Sequence, residues 1–209
     1  MVQITAQMVK QLREATGAGP LDCKKALEAH EGDMEKAMDF LREKGLARAA
    51  KKLGAGRTMN EGVVATYVHH DKRLAAMVEV NCETDFVAKT PQFQEFAHNL
   101  AVHIASMAPE YVKREDVPEA VVQAERELQL RRAMEEGKPE HIAEKMVEGR
   151  LNKWFEDIVL MDQTFFKDED KTIADLLNEA VAELGESIQI RRFVRFVVGE
   201  DADDGGEDA

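Results

Sequence analysis

The sequence predicts an α+β protein: a small N-terminal helical bundle, then a small antiparallel sheet backed by helices with a protruding helical hairpin. Three observations carry this reading. Residues 1–53 place apolar side chains at helical spacing, three and four apart. Residues 62–70, 73–83 and 187–198 instead alternate with a period of two. Residues 118–158 return to helical spacing across a Gly-Lys-Pro break. The 209 residues suffice for one medium domain or two small ones, and 44% hydrophobic content supplies a core.

The first helix opens at Thr5, a suitable cap, and carries Met8, Val9 and Leu12 on one face. Gly17-Ala18-Gly19 breaks it, and Pro20 suits the first turn of a second helix with Leu21, Ala26 and Leu27. Asp33 caps a third, with Met34, Ala37, Met38 and Leu41 on its apolar face and Gly45 as its C-terminal stop. A basic helical stretch (Arg48, Lys51, Lys52) then runs to Gly54-Ala55-Gly56. The expected boundaries are a bundle at 1–53, a linker at 54–61, a core at 62–199 and a tail at 200–209. A bundle this small buries little area, which suits an interaction module better than a catalytic one.

Within the core, the strands at 62–70 and 73–83 join through a tight turn at Asp71-Lys72. Thr90 caps and Pro91 opens a helix with Phe93, Phe96, Ala97, Leu100, Ile104 and Met107 on one stripe, expected to lie across the hairpin's apolar face. The helical insertion at about 118–158 comprises a first helix with a thin stripe of Val121, Ala124, Leu128 and Ala133. Its second helix carries Val147, Leu151, Trp154 and Ile158. Joined by a short turn, the two must run antiparallel. Residues 172–184 form a further amphipathic helix. The last strand is expected to point Ile188, Ile190, Val194, Phe196 and Val198 one way.

The formal charge of −13 argues against phosphate-backbone binding, which needs clustered Lys and Arg, so no direct nucleic-acid partner is expected. Six of those charges fall in the tail from Glu200 to Ala209, which lacks any base or large apolar residue and is expected to be disordered. Two cysteines, Cys23 and Cys82, make no disulfide framework and fit a reducing cytoplasm. No apolar run is long enough to span a membrane, and neither a secretory signal nor a transit peptide is visible.

Catalytic constellations are missing: no phosphate loop, no G-x-G-x-x-G, no G-x-S-x-G and no H-E-x-x-H. His69 and His70 are adjacent on a strand and point to opposite faces. His98 and His103 stand five apart on a helix, off the register shared ligation needs. Neither a metal nor another cofactor is expected. Cys82, in phase with Val78 and Val80, reads first as a small buried hydrophobe and second as a nucleophile. The chain reads as a binding protein, not an enzyme.

The turn after the second strand, Thr84-Asp85-Phe86, is the outstanding local feature. An aromatic ring at a strand-to-helix turn either folds back as a core plug or enters a partner. Asp85 either caps the turn through its own backbone or contacts that partner.

Three segments together resemble the bacterial elongation factor Ts family: V-K-Q-L-R-E-A-T-G-A-G-P-L-D-C-K-K-A-L at 9–27, E-V-N-C-E-T-D-F-V-A-K at 79–89, and G-K-P-E-H-I-A-E-K-M-V-E-G-R at 137–150. Their order and spacing match the short form of the family. The resemblance implies a guanine nucleotide exchange factor for elongation factor Tu, with a ubiquitin-associated-like N-terminal bundle docking on that partner's nucleotide-binding domain. It implies that Thr84, Asp85 and Phe86, with Val87 beside them, push between two helices near the partner's magnesium site. His103 matches a family contact position, and the hairpin matches a coiled-coil arm. Many members carry two methionines where this chain has Pro20-Leu21; Leu21 is the one expected to preserve an apolar contact. Short-form members can be dimers, so a homodimer through the hairpin is a further expectation. The alternative reading is a scaffold that binds peptides or ubiquitin-like partners without exchange activity.

Overall fold

The computed structural model of the chain describes residues 4–16, 18–53, 59–137 and 139–200. Residues 54–58 of the linker expected at 54–61, and residues 201–209 of the tail expected at 200–209, lie outside the described residues. In chain order the helices are α1 (Ala6–Thr16), α2 (Pro20–Ala29), α3 (Met34–Leu53), α4 (Asp85–Ala88), α5 (Pro91–Met107), α6 (Glu119–Glu135), α7 (Glu140–Ile158) and α8 (Ile173–Leu184). The strands are β1 (Glu61–Val68), β2 (Leu74–Cys82), β3 (Thr164–Phe165), β4 (Asp168–Thr172) and β5 (Ile188–Val197). These form two compact units. One holds the chain up to Gly62 with Asn81–Phe93 and Asp175–Gln189; the other holds Val63–Val80, Gln94–Ala174 and the chain from Ile190.

In the first unit, the start of α1 follows its cap: Thr5 Oγ1 accepts the Met8 amide at 3.2 Å. Asp33 does the same for α3, accepting from the Lys36 amide at 3.1 Å, and that hydrogen bond holds its carboxyl below the usual range. Glu31 and Gly32 take positive φ between α2 and α3, a conformation that suits glycine and strains other residues. Leu12, Cys23, Ala26, Leu27, Ala37 and Leu41 close the bundle core, with Met8, Val9, Met34 and Met38 packed around it. Each such leucine contributes about 2 kcal/mol, a modest total for three helices. Gly45 does not end the third helix as expected, because α3 runs on to Leu53. A Cβ at Gly45 would stand 3.4 Å from Ala182 Cβ of α8, an ordinary van der Waals contact. Arg42 reaches Glu179 of α8 at 2.8 Å, and Lys44 reaches Asp22 of α2 at 3.0 Å.

The main sheet is antiparallel, in the order β1-β2-β5. Its first hairpin turns at Asp71-Lys72 as expected: Asp71 Oδ1 accepts the Arg73 amide at 2.9 Å, and Lys72 takes a φ of 59°. Ala76, Val78, Val80 and Cys82 are buried on one face of β2. Strand β5 departs from the expected alternation. Ile188 and Ile190 are buried, whereas Val194, Phe196 and Val198 are exposed. The phase changes at Arg191 and Arg192, which both lie exposed and both bond Glu79, at 3.0 and 2.7 Å. From that point the exposed positions fall on alternate residues of the opposite phase, Arg192, Val194 and Phe196.

Helix α5 buries the expected stripe of Phe93, Phe96, Ala97, Leu100 and Ile104, though Met107 at its end is exposed. Arg195 of β5 ties the sheet to this helix by donating Nε to the Ala105 carbonyl at 3.2 Å. Helices α6 and α7 make the hairpin, with Ala133, Ala143, Val147 and Leu151 buried along it. The expected stripe on α6 is displaced at its start: Val121 and Ala124 are exposed, while Val122 packs at the hairpin base with Val117, Trp154, Ile158 and Val159. The two-stranded ribbon β3-β4 had no counterpart among the expected elements. No helix among the described residues is long and apolar enough to cross a membrane.

Candidate functional site

Strand β2 ends at Cys82, and the chain then makes a single helical turn, α4, before α5 begins. Thr84 is the N-cap of α4, with extended backbone (φ −133°, ψ 153°); its Oγ1 accepts the Val87 amide at 3.4 Å. Thr90 closes the far end: its hydroxyl donates to the Val87 carbonyl at 2.8 Å and accepts the Phe93 amide at 3.3 Å. Ala88 is buried beneath the turn and Val87 is half-buried. Phe86 points outward and is 81% exposed. Of the two roles left open by the sequence, the core plug is therefore removed.

Asp85 is half-exposed and takes Lys89 Nζ on its Oδ2 at 2.5 Å, an i,i+4 pair along the turn. The Lys89 ammonium holds the Asp85 carboxyl below its usual range, and Asp85 in turn raises Lys89. Thr84 holds the N-cap position, and the backbone amides of Asp85 and Phe86 add to the lowering of the Asp85 carboxyl, in keeping with a local capping role. Cys82 is fully buried, and its Sγ donates to the Thr84 carbonyl at 3.2 Å. Burial pushes its thiol up, the reverse of what a thiolate nucleophile needs.

Two further residues fix the turn, and neither stood out in the sequence. Glu186, just beyond α8, accepts both donors of Thr84: the amide on Oε2 at 3.0 Å and the hydroxyl on Oε1 at 2.6 Å. In the opposite sense, Glu83 Oε1 accepts the Ser187 amide at 2.8 Å. The visible hint was a shared dipeptide type, Glu83-Thr84 and Glu186-Ser187, but nothing in a single sequence pairs them.

The other expected contact residues lie elsewhere. Leu21, in the first turn of α2, is 65% exposed and belongs to the same compact unit as the turn. His103 belongs to the other unit and is fully buried in α5, so its ring offers no direct contact in the free chain. Its Nε2 bonds Gln163 Oε1 at 3.0 Å, and Gln163 Nε2 donates onward to the Asp157 carbonyl at 2.8 Å. Phe165 and Phe166 flank the imidazole, and burial pushes its pKa down. His103 thus joins α5 to the C-terminal end of α7.

Among the described residues, no group of three or more His, Cys, Asp or Glu side chains is placed to hold a metal ion. The arrangement exposes one ring on a braced turn and one leucine on a helix start. The family model for elongation factor Ts matches residues 3–200. The chain is 58% identical over 197 residues to elongation factor Ts of Carboxydothermus hydrogenoformans, covering 94% of this chain and 90% of that one. It is 56% identical to elongation factor Ts of Syntrophomonas wolfei, covering 94% and 91% of the two chains. The corresponding protein of Thermosipho melanesiensis is 51% identical, with 94% of this chain and 100% of that one covered. Similarity of this extent, running through the bundle, the braced turn and the hairpin alike, makes the chain a member of the elongation factor Ts family and so a factor of translation elongation.

Proposed function

We propose that the chain binds elongation factor Tu in its GDP-bound and nucleotide-free forms and promotes release of GDP, after which GTP rebinds. The observation that carries this reading is Phe86, 81% exposed on a turn whose backbone is tied at both ends. A GTPase holds its nucleotide partly through magnesium, which neutralises the phosphates. A ring seated between helices beside that site favours a partner conformation in which magnesium and phosphate contacts are displaced. Burying one phenylalanine supplies about 2 kcal/mol, so the wedge selects the conformation while the bundle, through Leu21, and the core supply the rest. In this reading His103 supports the core's contact surface from beneath. Coupling is reciprocal: the factor weakens nucleotide binding by the ratio in which nucleotide weakens the factor's, so incoming GTP expels it. The chain performs no bond chemistry of its own and works in the cytoplasm beside its partner. Stopped-flow release of a fluorescent GDP from elongation factor Tu tests the proposal: the purified chain accelerates release, and a rate equal to the spontaneous one overturns it.

The second partner we propose is another copy of the chain. The expected homodimer was assigned to the hairpin, but the sheet offers the broader apolar surface. Val64 and Val68 of β1, Met77 of β2, and Val194, Phe196 and Val198 at the end of the chain's last strand are all exposed. Exposed apolar side chains on all three strands of the sheet suit a self-complementary contact about a two-fold axis. Sedimentation velocity is expected to show a dimer that Phe196→Glu converts to monomer; a monomeric wild-type chain at tens of micromolar overturns this assignment.

A further inference from the structure

The turn that presents Phe86 is short, and a single helical turn has almost no stability of its own because nucleation costs more than one hydrogen bond returns. The ring itself contributes no anchoring, being 81% exposed. Its aim must therefore come from the backbone on either side. On the N-terminal side, that backbone is held by side chains far away in sequence. One carboxylate, Glu186, takes both protons that Thr84 can donate, at 3.0 and 2.6 Å. Because the Thr84 hydroxyl proton is committed to Glu186, its lone pairs are directed toward the Val87 amide, the bond that starts the helical turn. Glu83 returns the interaction by accepting the Ser187 amide at 2.8 Å. The two Glu-hydroxyl dipeptides thus brace each other as the two ends of a capping box do, across 102 residues instead of three. Both bonds from Thr84 are charge-assisted and partly buried, which makes them stronger than neutral ones.

We infer that Glu186, with Glu83 closing the clasp from the other side, is a positioning residue for exchange: it holds the Thr84–Val87 backbone in the conformation that presents Phe86. This rests on the wedge reading of Phe86. The clasp removes orientational freedom before the partner arrives, so less binding energy is lost to ordering the turn at the moment of contact.

A double-mutant cycle tests it. Glu186→Ala and Glu186→Gln are made in the wild-type chain and in Phe86→Ala, and fluorescent GDP release from elongation factor Tu is measured for each. Hydrogen exchange of amides 84–89 is followed in parallel. Glu186→Ala is expected to slow stimulated release about tenfold, as loss of a charge-assisted pair implies. Glu186→Gln, which keeps one acceptor, is expected to recover most of this, leaving about a threefold loss. In the Phe86→Ala background neither substitution lowers the rate further, since the ring they position is gone. Exchange at amides 84–89 speeds up while that of Leu12 and Leu27 in the bundle core is unchanged. A tenfold loss in both backgrounds, or no loss where Phe86→Ala does slow release, overturns the inference. Should Phe86→Ala itself leave the rate unchanged, the wedge reading falls. The clasp is then judged by hydrogen exchange, and unaltered protection at 84–89 in Glu186→Ala removes it too.

Discussion

The Thr84–Thr90 turn and the α6–α7 hairpin both carry apolar side chains into solvent, yet they are built in opposite ways. The hairpin is held by packing. Ala133, Ala143, Val147 and Leu151 are buried along it, and exposed pairs such as Arg126–Glu148 and Arg150–Glu136 line its surface. Its exposed apolar residues, Val121, Met134 and Ile142, are scattered, which is what two helices with a narrow shared seam leave uncovered. The turn buries only Ala88 and is held by hydrogen bonds from Thr84, Thr90 and Glu186. It exposes one large ring, at one fixed place. Exposure therefore arises differently in the two regions: as the uncovered remainder of a packed seam in the hairpin, and as a single aromatic carried on a polar frame in the turn.

The largest expected effect tests the packed region. Leu151→Ala deletes a 3% exposed side chain in the hairpin seam and is expected to cost about 3 kcal/mol in urea unfolding. At temperatures where the variant stays folded, stimulated GDP release should persist; its complete loss would assign the hairpin a part in exchange too. Phe86→Ala is the mirror experiment. Losing about 2 kcal/mol of transition-state contact lowers stimulated release about 30-fold, while the melting temperature stays put because the ring touches little of its own chain. A fall in melting temperature with full activity would reverse the assignment.

A smaller effect follows from His103. Its folded pKa lies below the ordinary 6.5 because burial disfavours the imidazolium. The unfolded chain thus binds a proton first as pH falls, so the stability contributed is present above about 6.5 and is lost as pH drops toward the folded value. Melting curves between pH 7.5 and 5.0 should show this decline, and His103→Asn should flatten it; parallel slopes for the two proteins would exclude the imidazole as the source. The smallest effect belongs to Asp85→Asn. The exposed pair with Lys89 is screened by solvent, so release should change by less than about twofold. A tenfold loss would instead assign the carboxylate a partner contact.

Much of this fold was legible because its elements state their periods plainly. The stripe of α5 and the alternation of β2 each follow from one repeating spacing, and Thr90-Pro91 marks where one gives way to the other. Three features were not, for separate reasons. Gly45 looks like a helix stop, and no local signal announces that α3 runs through it to Leu53. The phase change in β5 left one sign, Arg192 at a position that strict alternation would face inward, but an isolated arginine does not announce it. The ribbon strand Asp168–Thr172 is mostly charged and resembles a loop until it is paired. At the candidate site, Thr84, Asp85, Phe86 and Val87 could be singled out in the sequence because they are contiguous. Glu186 could not, because its function exists only once segments 102 residues apart have met.

That separation has a consequence during synthesis. A ribosome adding about 5 to 20 residues per second takes roughly 5 to 20 s to travel from the codon for Thr84 to that for Glu186. For that interval a nascent chain carries the aromatic residue without the carboxylate that sets its backbone. The clasp can close only after Glu186 has been added. The order of synthesis therefore makes the clasp a late-forming contact, one that no local folding of the turn can complete.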